Sequence, residues 1–300
     1  MPLVSFNELM RDAEAGGYAV GYFESWNFES LLAVADAAAA VRSPVILGFS
    51  GITLPNPDRA VKDPMSAYAA LGLDVCRTSP VPTCFLFNES PYLDAVMRAI
   101  DLGFNLVMFS DEAMNVEQQT EQVKKVCART RGTGIAVEAE MESVPGVAGH
   151  LHDTPADLHL TDPHAARDFV RKTGIDALAV NIGQMHLHGR SKVRLKLDRL
   201  KALRESIAMP LVLHGASSIE EEDLAAAIRG GIRKINVGSV LKQCYLATMR
   251  EACNAVAPNA NPYEVVGSGL GHDILVASRV AVQKEVERLM RLFGSADRAS

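Results

Sequence analysis

The chain has 300 residues, of which 48% are hydrophobic, and a formal net charge of −6. This size and apolar content suit two ordinary domains or one large α/β barrel. The negative charge and the lack of a dense Lys/Arg block argue against nucleic acid or an anionic membrane as partner. A small metabolite is the partner that the composition favours.

The cysteines and the N-terminus indicate a soluble, cytoplasmic protein. The five cysteines form no CxxC pair, and an odd number fits reduced thiols better than a disulfide framework. The first 17 residues lack the apolar core of a signal peptide, and no run reaches the ~20 apolar residues of a membrane span.

Short apolar runs rich in Val, Ile, Leu and Phe alternate with stretches of helical periodicity. Runs that are apolar throughout predict parallel strands covered on both faces. Eight of them most simply close into a (β/α)8 TIM barrel of the α/β class, one domain over 1–300 with a C-terminal helical tail. An open doubly wound sheet is the alternative. The predicted strands are 18–24, 43–50, 81–88, 105–110, 134–140, 176–183, 210–217 and 234–239.

Three helices are predicted, and two of them carry clear end signals. "SSIEEEDLAAAIRGG" offers serine caps and a final glycine, and "TDPHAARDFVRKTG" places Pro163 in its first turn and Gly174 at its end. The stretch 272–294 predicts a long last helix.

Polar residues gather where the apolar strands stop, which is the catalytic end of such a barrel. Any one of them is explained as a helix-capping loop residue, but the set predicts a functional site. The set comprises Glu24, Ser50, Asn88, Glu89, Ser110, Asp111, Glu138, Glu140, Gly183, His186, His214, Gly215, Ser217, Asn236, Gly238 and Ser239.

Two histidines on neighbouring strands suggest a metal site. His186 follows strand six and His214 ends strand seven, and Glu89 or Glu140 can reach them from nearby strands. Two imidazoles and a carboxylate with one open position form the ligand pattern of catalytic zinc. His188 lies two residues beyond His186 and is the weaker alternative.

Two glycine-containing turns, "HGASS" and "NVGS", lead into helices after strands seven and eight. Backbone amides at such turns bind phosphate without a basic side chain, and barrels often hold phosphate at these strands. We therefore expect an anionic substrate group there.

These residues resemble the class II, metal-dependent ketose-bisphosphate aldolases, which act on fructose- or tagatose-bisphosphate. The resemblance runs nearly end to end, through "GGYAVGYFESWN", "SPVILGFSG", "VEAE", "TGIDALAVNIGQMH", "PLVLHGASSI", "GIRKINVGS" and "RLFGSA". It implies the barrel fold and a homo-oligomer, dimeric or tetrameric. It also implies reversible aldol cleavage that releases dihydroxyacetone phosphate through a metal-stabilised enediolate.

The resemblance also assigns residues. It implies that His186 and His214 bind the metal and that Asn236 hydrogen-bonds the substrate. Arg279 loosely matches a basic residue donated to a neighbouring subunit. The expected contacts to substrate and phosphate are Ser50, Gly183, Gly215, Ser217, Gly238, Ser239 and Arg190, the last at a family lysine position.

The chain departs from the family pattern at the catalytic centre. Asn88 stands where the family has its proton-shuttling aspartate, and Glu89 stands where it has a third metal histidine. Glu24 replaces an asparagine, and Ser110 replaces an aspartate on strand four. Because an amide cannot exchange a proton near neutral pH, the usual acid/base step cannot run through Asn88.

We therefore predict a rearranged site in which Asn88, Glu89 and Glu24 do the catalytic work. With Glu89 as ligand the metal site has two histidines and one carboxylate, which suits zinc and also admits manganese, iron or magnesium. If Glu89 is instead the base, Glu140 completes the metal site.

The main hypothesis is a metal-dependent lyase of aldolase type with an altered substrate. One alternative is a non-catalytic binding or partner subunit. The other is an ordinary fructose-bisphosphate aldolase.

Overall fold

Eight parallel strands close into one barrel, in chain order, within the residues that the computed structural model describes: 3–141, 159–185 and 192–299. Helices follow the strands along the chain. The prediction of a single-domain (β/α)8 barrel is thereby confirmed.

The strands lie where the apolar runs predicted them, with ends that differ by a few residues. β6 and β7 are shorter than predicted, while β8 begins two residues earlier. The bounds are β1 Val20–Phe23, β2 Val45–Ser50, β3 Thr83–Ser90, β4 Leu106–Phe109, β5 Ala136–Glu140, β6 Ala177–Ala179, β7 Leu211–Leu213 and β8 Ile232–Val237.

Two of the three predicted helices, α6 and α11, lie where the sequence predicted them. α6 is capped by the Asp162 side chain and ends at Gly174 in the left-handed region, and α11 is the long last helix. The bounds are α1 Phe6–Gly16, α2 Phe28–Ala40, α3 Met65–Thr78, α4 Leu93–Asp101, α5 Val116–Thr130, α6 Pro163–Thr173, α7 Leu197–Ser206, α8 Glu221–Arg229, α9 Ser239–Ala255, α10 Pro262–Val265 and α11 Ile274–Leu292.

The serine caps expected for α8 were wrong. Ala216–Ser218 forms a separate 3₁₀ turn, and α8 begins after Glu220 with no side-chain cap. The serines are therefore left in the turn that follows β7, where they face the barrel mouth.

The core has two layers: an outer one between the strands and the helices, and an inner one inside the barrel. Side chains such as Phe85 and Phe87 pack outward against the helices, while Leu86 faces the barrel interior. Phe6 and Leu9 of α1 join that inner cluster. Because α1 plugs the end at which the strands begin, the barrel opens where the strands end.

The described helices include none with both the length and the apolar character needed to cross a membrane.

Candidate active site

A cavity of about 310 Å³ occupies the open end of the barrel. Most of the residues predicted from the strand ends meet there. They are Glu24, Ser50, Asn88, Glu89, His214, Gly215, Ser217, Asn236, Gly238 and Ser239.

An irregularity at the end of β3 brings Glu89 into this cavity. Leu86 faces the barrel interior, so alternation also points Asn88 inward and would point Glu89 at the helices. Glu89 instead has φ 49°, in the left-handed region, and the pairing with β4 shifts register between Phe87 and Ser90. Such a bulge re-aims a side chain, so the neighbouring Asn88 and Glu89 both reach the site.

His214 is held between two carboxylates and is almost fully buried. Its Nδ1 lies 2.9 Å from Oε1 of Glu89, and its Nε2 lies 2.9 Å from Oε1 of Glu138. Burial alone would lower the pKa of His214, but the two carboxylates outweigh it and raise the pKa to about 10. The imidazole is therefore fixed in orientation before any ligand arrives.

A buried ion pair lies below His214. Nζ of Lys234 is 2.8 Å from Oε2 of Glu138, and both side chains are inaccessible to solvent. Burial would raise the pKa of Glu138, but Lys234 and His214 hold it below its usual value. Burial lowers the pKa of Lys234 despite the attraction of Glu138. The pair keeps a carboxylate available beneath the histidine.

The two asparagines of the site form a hydrogen-bonded chain. Nδ2 of Asn236 donates to Oδ1 of Asn88 over 3.2 Å, and Nδ2 of Asn88 donates to Oε2 of Glu89 over 2.6 Å. An aspartate at position 88 would place a second negative charge against Glu89. The amide at 88 and the carboxylate at 89 are therefore mutually compatible replacements.

Among the described residues, one group of side chains could hold a metal ion. Glu89, Glu140 and His214 each offer a ligand atom, and these atoms lie within 4.8 Å of one another. Ser110 donates to Glu140 and so orients that carboxylate. Mixed imidazole and carboxylate donors suit zinc and the harder divalent ions, so the residues fit a catalytic divalent cation. His186, the other predicted ligand, lies outside the described residues.

The two turns expected to bind an anion lie side by side at the mouth. Gly215 has φ 68° and begins the 3₁₀ turn, and Gly238 precedes α9. The turns are joined because the amide of Val240 donates to Oγ of Ser217. A Cβ at position 238 would lie 2.6 Å from Oε2 of Glu24, so glycine leaves room for that carboxylate.

A charged pair spans the rim beside these turns. Oε1 of Glu24 lies 2.5 Å from Nζ of Lys242, whose ammonium also lies over the ring of Trp26. Glu24 therefore lies against the turn at Gly238 and the ammonium of Lys242 rather than in the cluster around His214.

Other predicted residues are not placed at the cavity. Gly183 is not among the described residues that line the cavity. Its amide donates to Oδ1 of Asn181. Arg190 and His188 lie outside the described residues. Arg279 pairs with Asp36 of its own chain.

Three residues of the site were not predicted from the sequence. Tyr22 and Lys242 line the cavity, and Lys234 pairs with Glu138 below it. Glu138 was noted at a strand end but given no role. An alternation signal was present, since Glu138 precedes Glu140 by two residues and Lys234 precedes Asn236 by two. Two residues along a strand share a face, so these side chains enter the barrel below the predicted site residues.

The closed barrel and its carboxylate–histidine cluster define the class: a (β/α)8 enzyme with a metal-type site at the carboxyl ends of its strands. The sequence model of the class-II fructose-bisphosphate aldolases matches residues 4–298. The chain belongs to that family. The prediction of a metal-dependent carbon–carbon lyase of aldolase type is confirmed at this level.

The relatives are aldolases of more than one kind. The chain is 31% identical to a fructose-bisphosphate aldolase of Thermus caldophilus, over 99% of this chain and all of the relative. It is 28% identical to a sulfofructosephosphate aldolase of Alkalicoccus urumqiensis, over 100% and 99% of the two chains. The crystal structure of the YdjI aldolase from Escherichia coli K12 aligns with a TM-score of 0.79 at 28% identity, covering 99% and 100%.

Proposed function

We propose that this aldolase reversibly cleaves a ketose phosphate into dihydroxyacetone phosphate and an aldehyde other than glyceraldehyde 3-phosphate. The observation that carries this is the rebuilt end of β3, where Glu89 lies 2.9 Å from His214, while both turns predicted to bind phosphate line the same cavity. These turns support a site for the triose phosphate half of the substrate. The acid/base half differs from the family pattern.

A divalent cation fits the group formed by Glu89, Glu140 and His214, with His186 as a further candidate ligand. Zinc is our first assignment, and manganese, iron and magnesium are compatible with the carboxylates. When bound, the cation supplies Lewis-acid polarisation of the substrate carbonyl. Glu138 keeps the His214 ring oriented for it.

Proton transfer needs a titratable group in the cavity. Among the described carboxylates, Glu24 and Glu89 line it. Glu24 is engaged by Lys242 beside the anion turn, so its contacts favour a role at the substrate's anionic end. Glu89 lies against the amide of Asn88, and Asn88 stands at the family's proton-shuttle position. Glu89 is therefore our candidate for moving the proton, and in that role it leaves Glu140, His214 and His186 to hold the cation.

We further propose that the protein is a cytoplasmic homo-oligomer, dimeric or tetrameric. The support is the family's habit of association and a cysteine content that fits reduced thiols. Light scattering after size-exclusion chromatography tests the association, and labelling in the host cell tests the compartment.

The proposed activity is tested by metal analysis together with exchange of the C3 proton of dihydroxyacetone phosphate. We expect one divalent ion per chain, exchange that stops on chelation, and cleavage of a ketose phosphate from a panel that includes fructose bisphosphate and sulfofructose phosphate. Glu89→Gln should abolish exchange. A protein that holds no divalent metal and exchanges no proton contradicts the proposal.

The same panel separates the alternatives. Fructose bisphosphate cleavage that dominates the panel, and that Asn88→Asp does not improve, indicates an ordinary fructose-bisphosphate aldolase. Binding of dihydroxyacetone phosphate without turnover, or turnover only with a second protein, indicates a binding or partner subunit.

A further inference from the structure

Tyr22 carries a buried hydroxyl that has no hydrogen-bond partner among the described residues. The residue is 1% exposed and lines the active-site cavity, yet no donor or acceptor of residues 3–141, 159–185 or 192–299 lies within hydrogen-bonding distance of its hydroxyl. Buried polar groups are nearly always satisfied, and an unmade hydrogen bond is costly. A ligand in the cavity that Tyr22 lines can supply the partner that the described protein residues do not.

The position of Tyr22 indicates which part of the ligand it meets. Tyr22 pairs in register with Asn236 of β8, and the anion turn at Gly238 follows directly after β8. Tyr22 therefore lies on the side of the barrel where the phosphate-bearing half of the substrate is expected.

The surroundings of Tyr22 make it a donor. Burial raises its pKa well above the usual value, and the carboxylates of Glu24, Glu89 and Glu138 raise it further. The ammonium of Lys234 lies 5.4 Å from the ring centroid and holds the ring in place. A protonated phenol here offers its hydrogen to an acceptor on the ligand.

We propose that the Tyr22 hydroxyl donates a hydrogen bond to a carbonyl or hydroxyl oxygen of the triose phosphate half of the substrate. The proposal rests on the proposed function for the identity of that half. Tyr22 would then be a substrate-binding residue that recognises an oxygen of the carbon chain, while the two turns hold the phosphate.

Calorimetric titration of dihydroxyacetone phosphate and of inorganic phosphate into wild type and Tyr22→Phe tests this. We expect Tyr22→Phe to weaken dihydroxyacetone phosphate binding about fivefold to tenfold, the value of one hydrogen bond, and to leave phosphate binding unchanged. The thermal unfolding temperature of Tyr22→Phe should be unchanged or higher, because the hydroxyl has no hydrogen bond to a described residue to lose. Tyr18→Phe, the same change on a residue outside the cavity lining, is the matched control and should alter neither affinity.

The proposal is overturned if Tyr22→Phe binds dihydroxyacetone phosphate as wild type does, if both ligands weaken equally, or if wild type does not bind dihydroxyacetone phosphate. Failure of wild type to exchange the C3 proton would instead remove the proposed function. The two affinities still decide the role of Tyr22 in that case, so the two failures are distinguishable.

Discussion

Nε2 of His214 lies 2.9 Å from Oε1 of Glu138, inside the barrel and below the cavity. This contact leaves Nδ1 as the ring nitrogen that faces Glu89 and the candidate metal group. A carboxylate behind a metal-binding imidazole fixes the orientation of the ring and strengthens it as a ligand. Nε2 therefore orients the ring through Glu138, while Nδ1 faces Glu89 and the candidate metal group.

Glu138→Gln should lower the affinity for zinc about 10- to 100-fold, because the neutral amide orients His214 less firmly and adds no negative charge behind it. Competition with a chromophoric chelator measures the affinity. Lys234→Met is the matched control, since it breaks the same ion pair but keeps the acceptor of His214. Equal losses in both variants would show that the ion pair, and not the contact to His214, governs metal binding.

Lys234→Met should also destabilise the fold by about 3 kcal/mol or more, because it leaves the Glu138 charge buried without its ammonium partner. Denaturant unfolding of the metal-free protein measures the free energy. Lys124→Met, which removes an exposed lysine paired with Glu121, should change stability by less than about 0.5 kcal/mol. A similar small change at Lys234 would contradict the assigned cost. Adding Glu138→Leu to Lys234→Met should recover part of the loss.

Much of the barrel was predictable because buried parallel strands are apolar along their whole length. The strand ends then predicted most of the cavity lining, since carboxyl ends of neighbouring parallel strands meet at one edge. Glu138 and Lys234 were not assigned because a polar residue within an apolar run shows its depth only once strand register is known. The serines before α8 matched a cap pattern, but a tight turn after β7 took them instead.

The conformation of Glu89 could not be predicted, because nothing in "LFNES" marks a left-handed residue that is not glycine. The sequence placed Asn88 and Glu89 at the strand end, yet simple alternation would have allowed one of them into the cavity. The bulge admits both. The folded protein explains why Asn88 and Glu89 replace the family's aspartate and histidine together, because the amide of Asn88 donates a hydrogen bond to the carboxylate of Glu89.

Glu89→Gly should be more stable than Glu89→Ala by about 1 kcal/mol, because φ 49° strains a residue with a Cβ but not glycine. Chemical denaturation of the two metal-free variants provides the comparison, and both lack the carboxylate, so the difference isolates the backbone. Gly174→Ala, at φ 72° and with nothing within 4 Å of the added Cβ, is a reference for the cost of a side chain in this region. Equal stability of the two Glu89 variants would argue against the left-handed conformation.

The Glu24–Lys242 pair should determine how tightly the cavity binds an anion at the turn that contains Gly238. Lys242→Gln removes a cation beside the turn at Gly238 and should weaken inorganic phosphate binding about threefold to tenfold, whereas Glu24→Gln should strengthen it by a similar factor. Both shifts should shrink as salt is added, because the groups are partly exposed. Titration calorimetry at two ionic strengths measures them, with Lys125→Gln on the exposed face of α5 as the control. Weaker phosphate binding by Glu24→Gln would mean that the carboxylate supports the turn instead of repelling the anion.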